Sequence, residues 1–405
     1  MDMETKTIAS PKLVFPHIMK TGGTSLIEWI QRHYFVDDIL DTATCWSHLK
    51  GTPAEELRRK RFIRGHFGSG ILNVFGPRNG FAAIALVRDP VERVISHYWH
   101  LKNAPDVGVA GWDAGEPFTF DAYLEHPLTR FAVSNYQTAN YSAGIGVGSA
   151  NRTNGTLDEL SPLDLAQCKA FIDSCDAIGT TEDLPRFVDA LTQRFGFFPD
   201  PMLQKHRSYR QDESFHKETL QRIRKLNAVD YELYQYVRTR STAPGKSYSL
   251  PARVNPNRVG ADGRLCWRAG EPYWGRGWTD CAGEVTQRHI WSLEGVASMC
   301  FDVDVGEAYV LLVYVMRFVV PFQAESFVIN CEGRELVPTM IPSPQAEGQV
   351  YAVHLGPVKS AQLTVGFAVD RLLSFNEVNS QDKDTLLRGL AVHSVTLIGA
   401  GSAEV

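Results

Sequence analysis

A polar loop near the start of the chain contains the residue types that bind anions. It reads Lys20-Thr21-Gly22-Gly23-Thr24-Ser25. Glycines let a backbone approach its ligand closely, hydroxyl groups donate hydrogen bonds, and a lysine ammonium adds further donors and a full positive charge. This combination favours a phosphate or sulfate group as the ligand of the loop.

The elements on either side of the loop predict how it is presented. The apolar segment Leu13–Phe15 has the length and composition of a buried strand, and Leu26, Trp29 and Ile30 follow the loop at a helical spacing. A glycine-containing loop between a strand and a helix directs the first N–H groups of the helix at a bound anion. In the common ATP- and GTP-binding loop the lysine follows the glycines. Lys20 precedes them, which argues against that class of site.

A second stretch with a defined pattern begins at residue 81. Phe81–Val87 is an uninterrupted apolar run, typical of a strand buried on both faces. Asp89 as N-cap, followed by Glu92, predicts the start of a helix. The apolar face of that helix consists of Val91, Val94, Ile95 and Tyr98. Arg93 and Ser96 fall on the opposite side, which we expect to be polar.

Strands and helices continue to alternate up to residue 240. The remaining strand candidates are Arg61–Arg64 and Cys175–Gly179. The helix candidates are Leu163–Ala170, Leu184–Phe195 and Leu220–Tyr236. This alternation predicts an α/β fold with a P-loop-like parallel sheet flanked by helices. Residues 103–160 are rich in Gly, Asp, Asn and Thr, and we expect a loop-rich insertion that could line a cleft for a second substrate.

The pattern changes after residue 240. Residues 241–257 are polar and contain prolines, so we interpret them as a linker between a domain at 1–240 and a domain at 258–405. Short strand candidates recur in the second domain: Ser298–Val303, Tyr309–Val315, Ser326–Asn330, Val350–Leu355, Gln362–Ala368 and Ala391–Ile398. The turns between them are rich in Gly, Pro, Asp and Asn. The spacing predicts an antiparallel β-sandwich.

Aromatic residues are concentrated in the second domain. They include Trp267, Tyr273, Trp274, Trp278 and Trp291. Such side chains either pack a domain core or its contacts, or stack on sugar rings. The sequence leaves both interpretations open.

Composition limits the class of protein. A chain of 405 residues suffices for two domains, and 44% hydrophobic with 21% charged residues is typical of a globular protein. The net charge of −5 gives no general attraction to nucleic acid. The seven cysteines form no CxxC pair, so we expect neither a disulfide scaffold nor a metal site. No signal-peptide core or apolar span of about 20 residues is evident, and we expect a cytoplasmic protein without a membrane span.

Two motifs together resemble a known family. The segments "PHIMKTGGTSL" (16–26) and "LVRDPVERVISHY" (86–98) resemble the donor-binding signatures of sulfotransferases that use 3′-phosphoadenosine 5′-phosphosulfate (PAPS). The match is closest to the carbohydrate branch, which includes heparan sulfate 2-O-sulfotransferases and bacterial relatives, and it covers about residues 11–240. The resemblance implies PAPS as donor, adenosine 3′,5′-bisphosphate as product, and a glycan or glycosylated molecule as acceptor.

The resemblance also implies a role for each matching residue. The loop from Lys20 to Ser25 would hold the 5′-phosphosulfate, with Lys20 stabilising the leaving group. Arg88 and Ser96 would grip the 3′-phosphate of the donor. The segment "FIRGH" (62–66) resembles the family's histidine-bearing stretch, which makes His66 the catalytic base. Arg64 stands where relatives often have a second histidine, so the identity of the acceptor stays open.

Several further residues match the family pattern more loosely. His17 would orient the loop, and Asn135 and Gln137 fall where relatives have a polar motif near the acceptor. Lys205 and Arg207 would add contacts to the donor phosphates or lie exposed.

Three other functions remain compatible with the sequence. The same reaction could use a small natural-product alcohol or phenol as acceptor. A nucleotide-dependent kinase would require magnesium and a carboxylate at a strand end. A non-catalytic glycan-binding protein would expose Trp274 or Trp278 and tolerate the loss of His66.

Overall fold

The chain forms two compact units. The computed structural model describes residues 11–40, 49, 52–74, 80–103, 117–142, 162–199, 215–241, 255–279, 281–284, 287–341, 348–382 and 384–402. One unit, the α/β unit, comprises 10–29 and 38–251, and the other, the β unit, comprises 30–37 and 252–405. Most of the predicted linker, Lys205 and Arg207 lie outside the described residues, as does much of the predicted insertion at 103–160.

The α/β unit alternates strands and helices along the chain. Its strands are β1 (Lys12–Pro16), β2 (Ile39–Leu40), β3 (Phe62–Gly65), β4 (Phe81–Val87) and β5 (Ala177–Thr180). Its helices are α1 (Gly23–Gln31, whose last two residues belong to the β unit), α2 (Ala54–Arg59), α3 (Ile71–Val74), α4 (Pro90–Asn103), α5 (Phe120–Glu125), α6 (Arg130–Val133), α7 (Tyr136–Ser142), α8 (Pro162–Ser174), α9 (Leu184–Phe195), α10 (Lys217–Leu226) and α11 (Ala228–Arg240). The predicted α/β fold is confirmed.

The five strands of this unit form one sheet in the order β2-β3-β1-β4-β5. Every pair is parallel, with Leu13 opposite Phe62 and Ile84 opposite Ala177. The strand residues are largely apolar and buried, as expected of a sheet covered on both faces. Because parallel strands share one direction, the loops that follow β1, β3 and β4 emerge at the same edge of the sheet.

Two expectations about this unit are wrong. The predicted helix 220–236 is two helices, because Asn227 leaves the helical conformation and its side-chain amide donates to the carbonyls of Val133 and Ile223. Arg93, expected on a polar helix face, is completely buried. Its guanidinium donates to the carbonyl of Ala132 and lies 4.9 Å from the ring centre of Tyr136. A cationic group can be buried in this way when a carbonyl and an aromatic face replace water.

The β unit contains two antiparallel sheets. Its strands are β6 (Arg264–Arg268), β7 (Trp274–Arg276), β8 (Ile290–Trp291), β9 (Val296–Asp302), β10 (Ala308–Phe318), β11 (Val328–Cys331), β12 (Arg334–Leu336), β13 (Thr339–Ile341), β14 (Gln349–Pro357), β15 (Gln362–Ala368) and β16 (Leu390–Gly399), with one short helix, α12 (Phe375–Val378). One sheet has the order β13-β14-β10-β16-β6, with β8 also pairing with β16, and the other has the order β12-β11-β15-β9-β7. The predicted β-sandwich is confirmed.

The core of the β unit lies between inward-facing residues of both sheets. Leu311, Val365 and Leu397 are fully buried there. Most of the aromatic residues singled out in the sequence belong to this core, namely Trp267, Tyr273 and Trp278. Trp291 is also buried, and Trp274 is half-buried. Core packing therefore accounts for most of the aromatic content of the unit.

The short segment 30–37 hydrogen-bonds within the β unit, to which it belongs. The Tyr273 N–H donates to the carbonyl of Arg32 at 2.9 Å, and Arg288 forms a two-point ion pair with Asp37 at 2.8 and 3.1 Å. Within the described parts of the chain, no helix has the length and apolar character needed to cross a membrane.

Candidate functional site

The loop after β1 has a backbone shape that few residues adopt. Lys20 has a φ of 66° and Gly22 a φ of 75°, both in the left-handed region. That region is accessible to glycine and strained for lysine, so the fold stabilises an unfavourable conformation at Lys20. Helix α1 begins directly afterwards at Gly23. The resulting turn ends in the N–H groups of a helix N-terminus, the arrangement that binds anions.

Gly23 is required because the imidazole of His17 fills the space beside it. A Cβ atom at residue 23 would lie 2.0 Å from Cδ2 and 2.1 Å from Nε2 of His17. His17 is 9% exposed, and its Nε2 has no hydrogen-bond partner among the described residues. The buried ring thus packs against the first residue of α1, consistent with the predicted role of His17 in orienting the loop.

The side chain of Thr21 is directed into the protein. Its hydroxyl donates to the carbonyl of Ile18 at 2.9 Å, and the residue is fully buried. Its own carbonyl accepts a hydrogen bond of 2.6 Å from the hydroxyl of Thr181, the residue that follows β5. Because the only hydroxyl proton of Thr21 is used within the loop, Thr21 has only its backbone N–H to offer a ligand.

The two remaining hydroxyl residues lie in the first turn of α1 and differ in exposure. Thr24 is exposed, whereas Ser25 is 7% exposed. The N–H groups of a first helical turn have no acceptor within their own helix. The donors are therefore the backbone N–H groups of Gly23, Thr24 and Ser25, and they follow directly on the loop in which Lys20 supplies positive charge.

His66 follows β3, and its ring is hydrogen-bonded to the backbone of the strand β1 region. Its Nδ1 lies 2.9 Å from the carbonyl oxygen of His17. A carbonyl can only accept, so Nδ1 carries the proton and Nε2 of the neutral ring has a free lone pair. The rings of His17 and His66 lie 4.8 Å apart between centres. The geometry defines the tautomer that a general base requires.

Burial keeps both imidazoles neutral. Desolvation lowers the pKa of His66 from 6.5, the positive charge of Arg64 lowers it further, and the bond to the His17 carbonyl opposes the shift. Burial lowers the pKa of His17 well below 6.5, with smaller contributions from His66, Lys20 and Arg64. At neutral pH both rings are uncharged, so His66 is present in its proton-accepting form.

Arg88 follows β4 and joins the second motif to the first. Its Nη1 donates to the carbonyl of Lys20 at 3.2 Å. Its Nη2 lies 3.7 Å from Glu92, and the side chain is 22% exposed. The predicted N-cap is confirmed, since the N–H groups of Val91 and Glu92 donate to the carboxylate of Asp89. The guanidinium is therefore at the loop, partly exposed and held between two acceptors.

Ser96 and His97 lie further along α4. Ser96 is half-buried. His97 is 5% exposed, and its Nδ1 lies 2.9 Å from the hydroxyl of Tyr123 in α5. Burial lowers the pKa of His97 well below 6.5, followed in effect by the charge of Arg93. His97 is thus covered by α5 rather than by water.

The side chains of Asn135 and Gln137 make hydrogen bonds that join elements of this unit. The Asn135 side chain accepts hydrogen bonds of 3.1 Å from the N–H groups of Val229 and Asp230, at the start of α11. Gln137 is completely buried and bonds the backbone of Arg88. Their position near the acceptor stays a prediction, and the bonds of Gln137 show that both ends of its amide are used by the backbone of Arg88.

Two residues fix the motifs in place: Thr181, which sequence reasoning missed, and Gln137, which it placed near the acceptor without this role. Thr181 bonds the carbonyl of Thr21 and also lies 3.2 Å from the carbonyl of Val87. Gln137 bonds Arg88. Both are far from the motifs along the chain, and their contacts with the motifs leave no local sequence signal. Only knowledge of the strand order, which brings β5 and α7 to the end of β4, could have identified them.

The fold and the site define a class of protein: an α/β protein with a glycine-containing loop at a helix N-terminus, a neutral histidine and an arginine at one edge of a parallel sheet. A family model described as "Sulfotransferase family" matches residues 4–237. The chain belongs to the sulfotransferase family, so sulfuryl transfer from a sulfate donor to an acceptor is its general activity.

Other comparisons add little. No curated protein matches the chain. A β-(1,4)-mannanase with a family 35 carbohydrate-binding module from Podospora anserina is 17% identical over 34% of this chain and 28% of its own, with a TM-score of 0.21. A family 35 carbohydrate-binding module from Clostridium thermocellum is 11% identical over 34% of this chain and 98% of its own, also with a TM-score of 0.21. A family 6 carbohydrate-binding module of a Zobellia galactanivorans laminarinase is 9% identical over 33% of this chain and 98% of its own, with a TM-score of 0.20. These scores are too low to carry a conclusion.

Proposed function

We propose that this protein transfers the sulfuryl group of PAPS to a hydroxyl of a glycan or glycosylated molecule. The observation that carries the proposal is the convergence of Lys20, His66 and Arg88 at the ends of the adjacent strands β1, β3 and β4. Hydrogen bonds tie His66 to His17 and Arg88 to Lys20. A charged loop, a neutral base and a second cation are thereby within one framework.

The residues at this edge suit the chemistry of such a donor. PAPS, when bound, supplies a sulfuryl group whose departure leaves negative charge on a 5′-phosphate. The N-terminus of α1 and the ammonium of Lys20 suit the phosphosulfate, and Arg88 with Ser96 suits the 3′-phosphate. A preorganised donor aimed at developing charge typically lowers a barrier by about 3–4 kcal/mol. Within the loop from Lys20 to Ser25, Lys20 is the residue with a full positive charge, so we expect it to stabilise the leaving group most strongly.

His66 supplies the proton acceptor. An alcohol hydroxyl has a high pKa, so its oxygen attacks more readily when a base takes the proton during the reaction. We assign this role to Nε2 of His66, because Nδ1 already donates to His17. The proton moves from the acceptor oxygen to Nε2 as the new O–S bond forms. The imidazolium that results keeps its hydrogen bond to the His17 carbonyl.

A transfer screen tests the proposal. The full chain is incubated with PAPS labelled in the sulfate and with panels of glycans, small alcohols and phenols. We expect label on a glycan acceptor and release of one adenosine 3′,5′-bisphosphate for each sulfate transferred. Label only on small alcohols or phenols would assign the acceptor to that class instead.

A parallel reaction tests the competing enzyme class. The same acceptors are incubated with ATP labelled in the γ-phosphate, with and without magnesium. Magnesium-dependent phosphate transfer, with no sulfate transfer from PAPS, would show that the protein is a kinase. We expect no phosphate transfer, because Lys20 precedes the glycines and the loop lacks the usual order of a triphosphate site.

A further inference from the structure

Gln137, in the first turn of α7, directs both ends of its side-chain amide at one residue of the second motif. Its Nε2 donates to the carbonyl of Arg88 at 2.8 Å, and its Oε1 accepts from the N–H of Arg88 at 2.9 Å. The side chain is completely buried. The amide therefore pairs with the Arg88 backbone as a neighbouring strand would.

The Gln137 amide takes the place of a neighbouring strand at the point where the chain leaves the sheet after β4. The pairing of β4 with β5 ends at Val87 opposite Thr180, so Arg88 is the first residue beyond the ladder. Buried backbone groups that leave a sheet need other hydrogen-bond partners. Gln137 provides both partners for Arg88, and it thereby fixes the position from which the Arg88 side chain extends.

Gln137 is in turn held by a buried carboxylate. The N–H groups of Gln137 and Thr138 donate to Asp230 at 3.0 and 2.7 Å. Asp230 lies in the first turn of α11, and its own N–H donates to the side-chain oxygen of Asn135, so α7 and α11 cap one another. Asp230 is fully buried. A side chain supported in this way has little freedom to move, as a group that must position another residue requires.

We propose that Gln137 is a positioning residue that sets the preference of the site for a nucleotide bearing a 3′-phosphate. It acts by fixing the backbone of Arg88, whose guanidinium contacts Glu92 and the carbonyl of Lys20. The inference rests on the proposed assignment of Arg88 to the 3′-phosphate. As a positioning residue, Gln137 acts through Arg88 and needs no contact of its own with the donor or the acceptor.

The test compares two nucleotides that differ only in the 3′-phosphate. The dissociation constants of adenosine 3′,5′-bisphosphate and adenosine 5′-monophosphate are measured by calorimetry for the full-length protein and for Gln137→Met. Methionine has a similar length and cannot make either hydrogen bond. We expect the ratio of the two affinities to fall about tenfold, equivalent to about 1.4 kcal/mol. Binding of the monophosphate should change little.

The β unit offers a matched control. Gln323 is also fully buried, and its amide also bonds arginine backbone, donating to the Arg371 carbonyl at 2.7 Å. Gln323→Met should lower thermal stability and leave the affinity ratio within about twofold of the original. Gln137→Glu is a second variant in case the methionine does not fold. It keeps the acceptor for the Arg88 N–H, loses the donor to the Arg88 carbonyl, and should also lower the ratio.

The variant Arg88→Met tests separately whether Arg88 binds the 3′-phosphate, on which the role of Gln137 depends. If Arg88→Met lowers the ratio and the Gln137 variants do not, Gln137 has no positioning role although Arg88 binds the 3′-phosphate. If Arg88→Met leaves the ratio unchanged, the assignment of Arg88 fails and the inference is overturned with it. An equal loss of both affinities in Gln137→Met would likewise overturn it, because that result indicates general loosening of the unit.

Discussion

The two units contain matched side chains with almost the same hydrogen bonds and different surroundings. His66 in the α/β unit and His289 in the β unit each have Nδ1 within 2.9 Å of a backbone carbonyl, and both rings are thereby fixed in one tautomer. His289 is half-buried, and its carbonyl partner belongs to Gln287, two residues away. The partner of His66 is His17, 49 residues away in the loop-bearing strand.

The difference teaches that a hydrogen-bond pattern does not by itself define a site. In the β unit the His289 bond closes a local turn. In the α/β unit the His66 bond connects the ends of two separate strands, so it fixes the distance between groups of different chemistry. The site is therefore a property of the parallel sheet, whose strands all end at one edge. The predictions below test how far that distinction holds.

The largest effect is expected at the loop lysine. Lys20→Met keeps the length of the side chain and the same backbone strain, and it removes the charge. We expect sulfate transfer to fall to background, because binding of the donor and stabilisation of the leaving group are both lost. The measurement is transfer of labelled sulfate together with the affinity for adenosine 3′,5′-bisphosphate.

Lys12→Met is the control, because Lys12 lies at the other end of the same strand β1 and bonds the Arg58 carbonyl. It removes an identical charge and should leave transfer within about twofold. Wild-type nucleotide affinity in Lys20→Met would exclude the loop as the donor site.

A smaller but still large effect is expected at the histidine. His66→Ala should lower turnover by about 10²–10⁴-fold and leave nucleotide affinity nearly intact, since the base acts only on the acceptor proton. His289→Ala removes a ring with the same Nδ1 bond from the β unit and should not change turnover. Near-normal turnover in His66→Ala would assign the base elsewhere and remove the distinction between the two histidines.

An intermediate effect is expected where the loop meets His17. Gly23→Ala introduces a Cβ atom that would overlap the His17 ring. We expect weaker nucleotide binding, measured by calorimetry, because either the ring or the start of α1 must move. Gly295→Ala, at a glycine with no neighbouring atom within 4 Å, is the control.

The double variant His17→Ala/Gly23→Ala shows whether the overlap is the cause. It removes the ring and makes room for the new methyl group, so binding should recover in part relative to Gly23→Ala. A double variant no better than the sum of the two single changes would mean that Gly23 matters for another reason.

The sequence predicts the bounds of a strand where its apolar residues are continuous or alternate with polar ones. Phe81–Val87 and Gln362–Ala368 have the predicted bounds, because burial of continuous or alternating apolar residues determines both. The edge strands Arg334–Leu336 and Thr339–Ile341 were not predicted. They are short and mostly exposed, so they have no hydrophobic pattern of their own. Their conformation depends on the neighbouring strands to which they bond.

The candidate site could be predicted only where its residues are consecutive in the sequence. The loop at Lys20 and the N-cap at Asp89 follow from local spacing. The burial of Arg93 and the contact between Gln137 and Arg88 do not, because each depends on a helix that packs from a distant part of the chain. Long-range polar contacts between buried groups leave no periodic signal.

The smallest effect concerns the pH dependence of the base. Burial and the charge of Arg64 hold the pKa of His66 below 6.5, so the acidic limb of kcat/KM should lie below pH 6.5. A nearby cation disfavours the imidazolium, so Arg64→Met raises the pKa of His66 and moves that limb to higher pH. Because burial is the larger cause and remains, the limb should still lie below 6.5. Arg61→Met, which removes an arginine just before the same strand β3, is the control and should leave the limb in place. A limb that does not respond to Arg64→Met would mean that the titrating base is not beside Arg64, and the contrast between His66 and His289 would then have no consequence for catalysis.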